Sequence, residues 1–361
     1  MDRALRLVAI VGLAGVLAAG CGAPPPSATE VPDGTAGADG TMAAGPSASP
    51  VAGAPTVDPN APAYALRDPW APARLPGTVH DVQLNVIERF LTVASGVVQA
   101  VWSIDGAVPG PVIRVGAGDT LRIQLLNRPP KGSYPAAHPS VNAYPHALQF
   151  DGSTDAASVP MAPVQPGDEG TLEFRAPSPG VWLYRGSPGS ALENIAYGMY
   201  GMLIVEPKGG LEPVDRELFL VQGEWYVSEA HLPLPPLPSL AKASAPDPVP
   251  DYVVFNGVAG QYLDHPIEVR AGARVRVFVL DAGPNLDSSL SVDGAVLDRV
   301  VAGGVDRTVG STGGPGAVAV RLPPGQGAIV ELTLPQAGLY SIASRAGAAA
   351  TLRAVEGTPS N

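Results

Sequence analysis

The chain has 361 residues, a net charge of −11 at pH 7, 43 glycines, 41 prolines, 6% aromatic residues and a single cysteine. An acidic balance without a basic patch argues against a nucleic-acid partner. A lone cysteine excludes an intramolecular disulfide, and the Gly/Pro abundance suits many short strands joined by turns.

Arg3 and Arg6 precede the apolar run Leu7–Leu17, which leads into Leu17-Ala18-Ala19-Gly20-Cys21. The run is short for a permanent membrane span and reads as a secretory signal over residues 1–21. Small residues before Cys21 resemble the bacterial lipoprotein signal, in which the cysteine becomes the lipidated N-terminus. An ordinary cleaved signal with a fortuitous Cys21 is the plainer alternative. The expectation is an extracytoplasmic chain held to the bacterial membrane by lipid at Cys21. Residues 22–76, most clearly Gly22–Pro62, are Ala, Pro, Gly, Ser and Thr without hydrophobic periodicity, and read as a disordered tether.

From Val79 the text changes. Val82, Leu84 and Val86 alternate with Gln83, Asn85 and Ile87, the period of a half-buried strand. Val112–Val115, Thr120–Leu126, Ala147–Phe150, Gly170–Phe174, Val181–Tyr184 and Gly201–Val205 are further predicted strands, and their spacing argues for a Greek-key sandwich over 77–231. An irregular Pro-rich connection follows over 232–250. Tyr252–Asn256, Ile267–Arg270, Arg274–Leu280, Leu290–Val292, Ala328–Leu334 and Leu339–Ile342 repeat the rhythm over 251–357. Ile113–Ile123 and Val269–Val279 share one pattern, so the predicted fold is all-β, two copies of one sandwich.

Common chemistries find little support. Ser187 and Ser190 lie in a Gly/Pro loop without a histidine placed to activate them, so a hydrolase lacks its base. Gly116-Ala117-Gly118-Asp119 is a turn before a strand and not a dinucleotide loop, because no helix follows. His80, His231 and His265 read as loop or strand-edge residues and suggest no site.

Three segments carry a family resemblance. They are Val108–Asp119 (VPGPVIRVGAGD), Gly198–Lys208 (GMYGMLIVEPK) with Gln222–Glu224 (QGE), and Asp251–Gly257 (DYVVFNG) with Gly283–Leu286 (GPNL). Together, and in this order, they resemble the copper-containing nitrite reductases within the multicopper oxidase superfamily. The resemblance covers most of Val79–Gly357 and implies two cupredoxin-like domains and a homotrimer.

It also implies where copper would sit. The family's type 1 copper is held by two His, a Cys and a Met, and its type 2 copper by three His between subunits, beside a catalytic Asp and a catalytic His. Carried across, His146 in Tyr144-Pro145-His146 matches the first type 1 histidine and Met199 the methionine. The cysteine position is Gly186, and the second histidine position is Asn194. The type 2 histidines of the first domain fall on Asp151 and Arg185, and the third aligns with Arg345. The catalytic Asp falls on Gln149 and the catalytic His on Ser291.

The substitutions oppose copper. No thiolate remains in the globular part, and a guanidinium has no lone pair to donate. A unit charge about 4 Å from a divalent cation costs roughly 8 kcal/mol at an effective dielectric near 20. His146 is therefore read as a sandwich histidine hydrogen-bonded to Asn194, and Met199 as core packing. Asp151 between Arg185 and a neighbouring subunit's Arg345 forms either an ion-pair cluster at the old metal position or a set of separately exposed charges.

The expectation is a non-catalytic binding or structural lipoprotein with no cofactor. Two alternatives keep copper: an oxidoreductase with a site remodelled on His138, His146 and Met199, and a low-affinity copper carrier using the same histidines.

Overall fold

In this computed structural model the described residues are 55, 57–128, 145–151, 161–176, 178–228, 237–308 and 316–357. The signal, Cys21, the first part of the expected tether, His138 and His231 lie outside them. Among the described residues no helix is long and apolar enough to cross a membrane.

The first sandwich is built from β1 (Val79–Ala94), β2 (Val97–Ile104), β3 (Ile113–Gly116), β4 (Thr120–Arg128), β5 (Ala147–Phe150), β6 (Glu169–Arg175), β7 (Gly180–Ser187), the short helix α1 (Ala191–Ala196) and β8 (Tyr200–Glu206). One sheet runs β2-β1-β4-β6, the other β3-β8-β7-β5. The strands alternate inward and outward residues, so Leu84, Val86, Leu121, Ile123 and Leu125 meet Leu148, Tyr184 and Leu203 in a closed core. At the turn into β4, Gly118 takes φ +82°, a conformation that L side chains rarely adopt. Beside it, Asp119 Oδ2 accepts from the Gly116 N–H at 2.7 Å.

The second sandwich comprises β9 (Arg216–Trp225), α2 (Leu240–Ala243), β10 (Tyr252–Phe255), α3 (Gln261–Asp264), β11 (Ile267–Arg270), β12 (Arg274–Asp281), β13 (Ser288–Val292), β14 (Leu297–Ala302), β15 (Val305–Asp306), β16 (Ala319–Leu322), β17 (Gly327–Thr333), β18 (Gly338–Ser344) and β19 (Ala349–Val355). Its sheets run β10-β9-β12-β17-β14-β15 and β11-β19-β18-β13-β16. The expected all-β fold of two sandwiches is present, but the boundary expected at residue 231 is not. β9 pairs in parallel with β12, so the second sandwich already begins before the Pro-rich connection.

A third core joins the two. Val181, Leu183, Met202 and Ile204 of the first sandwich pack on Phe219, Val221, Phe278, Leu280 and Ile329 of the second. Beside it runs a chain of alternating charges. Arg114 Nε donates to Glu206 Oε1 at 2.6 Å and Arg114 Nη1 to Glu217 Oε2 at 2.6 Å. Glu217 also pairs with Arg276, whose Nε reaches Glu331 Oε1 at 2.9 Å, and Arg274 joins the same carboxylate. Burial works against ionisation of Glu217, yet its two guanidinium partners outweigh burial and hold its carboxyl below the ordinary range.

The tether expected over 22–76 also ends early. Residues 57–76 form an extended strap over both sandwiches. Asp58 N–H donates to Gly96 O, Arg67 Nη2 to Pro109 O and Arg67 N–H to Gln261 Oε1, at 2.8, 3.0 and 2.9 Å. Trp70 bridges Leu218 of β9, and Leu75 N–H donates to Arg114 O at 2.9 Å. Its prolines suit a strand-edge path that needs few backbone donors. His80 is likewise not a loose edge residue: it lies buried in β1 with Nε2 3.0 Å from Asp119 Oδ2.

Asp281, fully buried at the end of β12, accepts from Gly283 N–H at 2.9 Å, but burial pushes its carboxyl up to about 8, with the nearby Glu224 adding to the shift. An unfolded aspartate titrates near 3.9. From about pH 4 upward the folded chain retains a proton that the unfolded chain releases, so this residue's contribution to stability falls until about pH 8 and is level above. Asp281→Asn is expected to exceed the parent in urea midpoint at pH 8 and to match it near pH 4. An equal gap at both values would mean that Asp281 is ionised in the native state.

Candidate functional site

The residues marked by the sequence fall into separate groups. The first surrounds the β7–α1–β8 connection. Ser190 caps α1, its Oγ accepting from Glu193 N–H at 3.0 Å, and the helix lasts only to Ala196 before Gly198, at φ +89°, turns the chain into β8. This brings Gly186, Asn194 and Met199 together. A Cβ built on Gly186 would stand 2.2 Å from Asn194 Oδ1 and 2.7 Å from Met199 Sδ. Asn194 is buried, and its Nδ2 donates to Pro188 O at 3.1 Å and to Ser190 O at 3.0 Å.

His146 is buried nearby in sequence order of the sheet, held by paired backbone hydrogen bonds with Val164. Its expected hydrogen bond to Asn194 is not the one found. His146 Nε2 instead faces Glu88 Oε1 at 3.8 Å, and its ring meets Trp102 edge-on with centroids 4.9 Å apart. Asn194 directs both amide protons at backbone carbonyls of its own loop. Trp102 stacks on Tyr197 at 4.1 Å, which ties α1 to β2. Burial pushes the Glu88 carboxyl up to about 9 and the His146 imidazole down to about 4, so both are neutral at pH 7.

The second group lies on β5 and β7. Gln149 and Arg185 are cross-strand partners, and Asp151 stands just beyond. Gln149 Nε2 donates to Asp151 Oδ1 at 2.9 Å and Arg185 Nε to Asp151 Oδ2 at 3.1 Å, with Arg185 largely covered and Asp151 less so. Ser291 and Arg345 sit on the second sandwich: Ser291 pairs with Ala343, and Arg345 N–H donates to Ser289 O at 2.9 Å. Within one chain these two belong to a different sheet from Asp151 and Arg185.

Around Gly186 the donor atoms present are an amide oxygen and a thioether. A side chain at position 186 would meet Asn194 Oδ1 and Met199 Sδ at its own Cβ. Asp151 has both oxygens engaged, one by a guanidinium that would repel a cation. Among the described residues no cluster of three His, Cys, Asp or Glu side chains could hold a metal. A cleft of ≈ 540 Å³ over Arg114, Glu206, Glu212 and Arg216 lies elsewhere, at the seam, and its central charges are already paired.

Residues 86–210 match the multicopper oxidase family model. A copper-containing nitrite reductase of Neisseria meningitidis serogroup B is 35% identical over 268 residues, covering 72% of this chain and 63% of that protein. The chain is related to the copper-containing nitrite reductases and multicopper oxidases. It thus spans under two thirds of the length of that Neisseria relative. The copper nitrite reductase of Nitrosomonas europaea superposes with a TM-score of 0.63 at 27% identity, over 77% of this chain and 94% of that one. Both relatives support the cupredoxin-like description of the two sandwiches.

Glu88, Trp102 and Tyr197 escaped the sequence reading. Glu88 carried a signal, since it shares inward parity with Leu84 and Val86 on one strand. Met199 is fully buried in the first core. Met199→Leu should stay within about 1.5 kcal/mol of the parent, and Met199→Ala should cost about 2–5 kcal/mol in urea unfolding. The same values are expected with and without EDTA; a chelator-dependent gap would make Met199 a ligand.

Proposed function

We propose that this chain is a non-catalytic, extracytoplasmic lipoprotein in which a nitrite-reductase-like scaffold serves binding or assembly. The observation that carries the reading is the filled space beside Gly186, where Asn194 and Met199 occupy the volume a metal-binding side chain would need. The Arg185–Asp151 pair supports it, since a guanidinium and a carboxylate fixed on each other occupy two positions that the resemblance assigns to the family's second copper. Lipid attachment at Cys21 follows from the signal-like run before it, and the scaffold's assembly as a homotrimer follows from the resemblance. The copper-dependent alternatives gain nothing from His146, whose Nε2 is turned to Glu88.

Purified full-length chain loaded with Cu(II) and desalted is expected to retain well under one copper per chain by elemental analysis and to reduce no nitrite. Near-stoichiometric copper, or turnover of nitrite with an electron donor, would overturn the reading. If Asp151 also meets Arg345 of a second copy, Asp151→Ala should weaken the oligomer; an unchanged mass by light scattering across dilution would remove that cluster from the assembly.

A further inference from the structure

We infer that the Asn194 side chain is a metal-free lock on the β7–α1–β8 connection, closing by hydrogen bonds and contact a loop that has no ion to close around. The inference rests on the copper-free reading above and adds the element that replaces the metal. Residues 187–199 leave β7 and return to β8 beside it, so the loop must be closed at its neck. Gly186 N–H donates to Met199 O at 2.7 Å, and Met199 N–H donates to Asn194 O at 2.9 Å. The side chain of Asn194 then reaches back across the loop to the carbonyls of Pro188 and Ser190. One residue therefore satisfies acceptors on the outgoing limb with its side chain and a donor on the returning limb with its backbone.

The fit is two-sided. Asn194 Oδ1 rests against Gly186 so closely that any Cβ at 186 would overlap it, and Met199 Sδ closes the remaining side. Glycine at 186 is thus required by the neighbouring amide and not by its own backbone angle, since it is absent from the positive-φ residues. A buried amide with both protons committed is costly to disturb, because its own donors have no water to turn to. Trp102 N–H donates to Tyr197 O at 2.8 Å and Trp102 stacks on the Tyr197 ring, so the locked loop is also fastened to β2.

The test uses the full-length chain and four variants: Asn194→Asp, Asn194→Ala, Gly186→Ala and the double variant Gly186→Ala/Asn194→Ala. Amide hydrogen exchange over 187–199 and the urea midpoint are read with EDTA and with Cu(II). Asn194→Asp keeps the shape but removes the two donated bonds, and should speed exchange in this loop about tenfold, the scale of one or two buried hydrogen bonds. Gly186→Ala should be destabilising alone, and the double variant should fall short of the sum of the single losses because the overlap with the amide is gone, leaving only the flexible Met199 thioether to shift. Parent exchange should be the same under EDTA and Cu(II).

Parent-like exchange in Asn194→Asp, or strict additivity in the double variant, would overturn the lock while leaving the copper-free reading intact. Slower exchange of the parent with Cu(II) would overturn both. Should Asn194→Ala fail to fold, the near-isosteric Asn194→Asp still decides.

Discussion

The alternating run Glu206–Arg114–Glu217–Arg276–Glu331 is the constraint on which the rest of the molecule depends. It begins in the first sandwich, crosses the seam through Glu217 on β9 and ends on β17. Arg276 and Glu331 are almost fully enclosed, so neither can turn to water if its partner is removed. Such a run adds little net stability over apolar packing, but deleting one member leaves an uncompensated charge, at a cost of about 3–5 kcal/mol. Its effect is therefore one of register: the two sandwiches meet in one arrangement, with Arg114 stacked 4.9 Å over the Phe278 ring.

That frame also positions the strands of the candidate site. The strands carrying Gly186, Arg185 and Gln149 are held from behind by the apolar seam, where Leu183 and Met202 are buried. Under the copper-free reading proposed above, Asn194 is held by hydrogen bonds of its own loop and Arg185 by the carboxylate just beyond the neighbouring strand. Metal-dependent small domains behave differently, because there the ion itself supplies folding free energy.

Much of this was legible in the sequence, for reasons that also explain the omissions. Strands with one wet face, such as β4 and β6, announce themselves by alternation. β2 and β9 are buried on both faces and lack the alternation, so a reading based on period passed over them. The strap has the composition of a linker, and its partners on both sandwiches order it. Gly186 and Asn194 could be aligned with ligand positions, but their mutual fit could not: a glycine in a sequence says nothing about which neighbour needs the space. The hydrogen bond expected from His146 to Asn194 is not among those of the described residues, and the group its Nε2 faces, Glu88, is distant in sequence and could not be foreseen.

The strap has a consequence for the ancestry of the fold. Two similar sandwiches in one chain invite the view that each is a module, free to be copied or moved. Here the segment ahead of the first strand is stitched to the second sandwich at Leu218 and Gln261, and β9 completes the second sandwich's sheet from before the long connection. A recombination breakpoint after residue 76, 231 or 250 would sever one of these. Exchange of one half breaks contacts that both halves supply, whereas substitution leaves them in place.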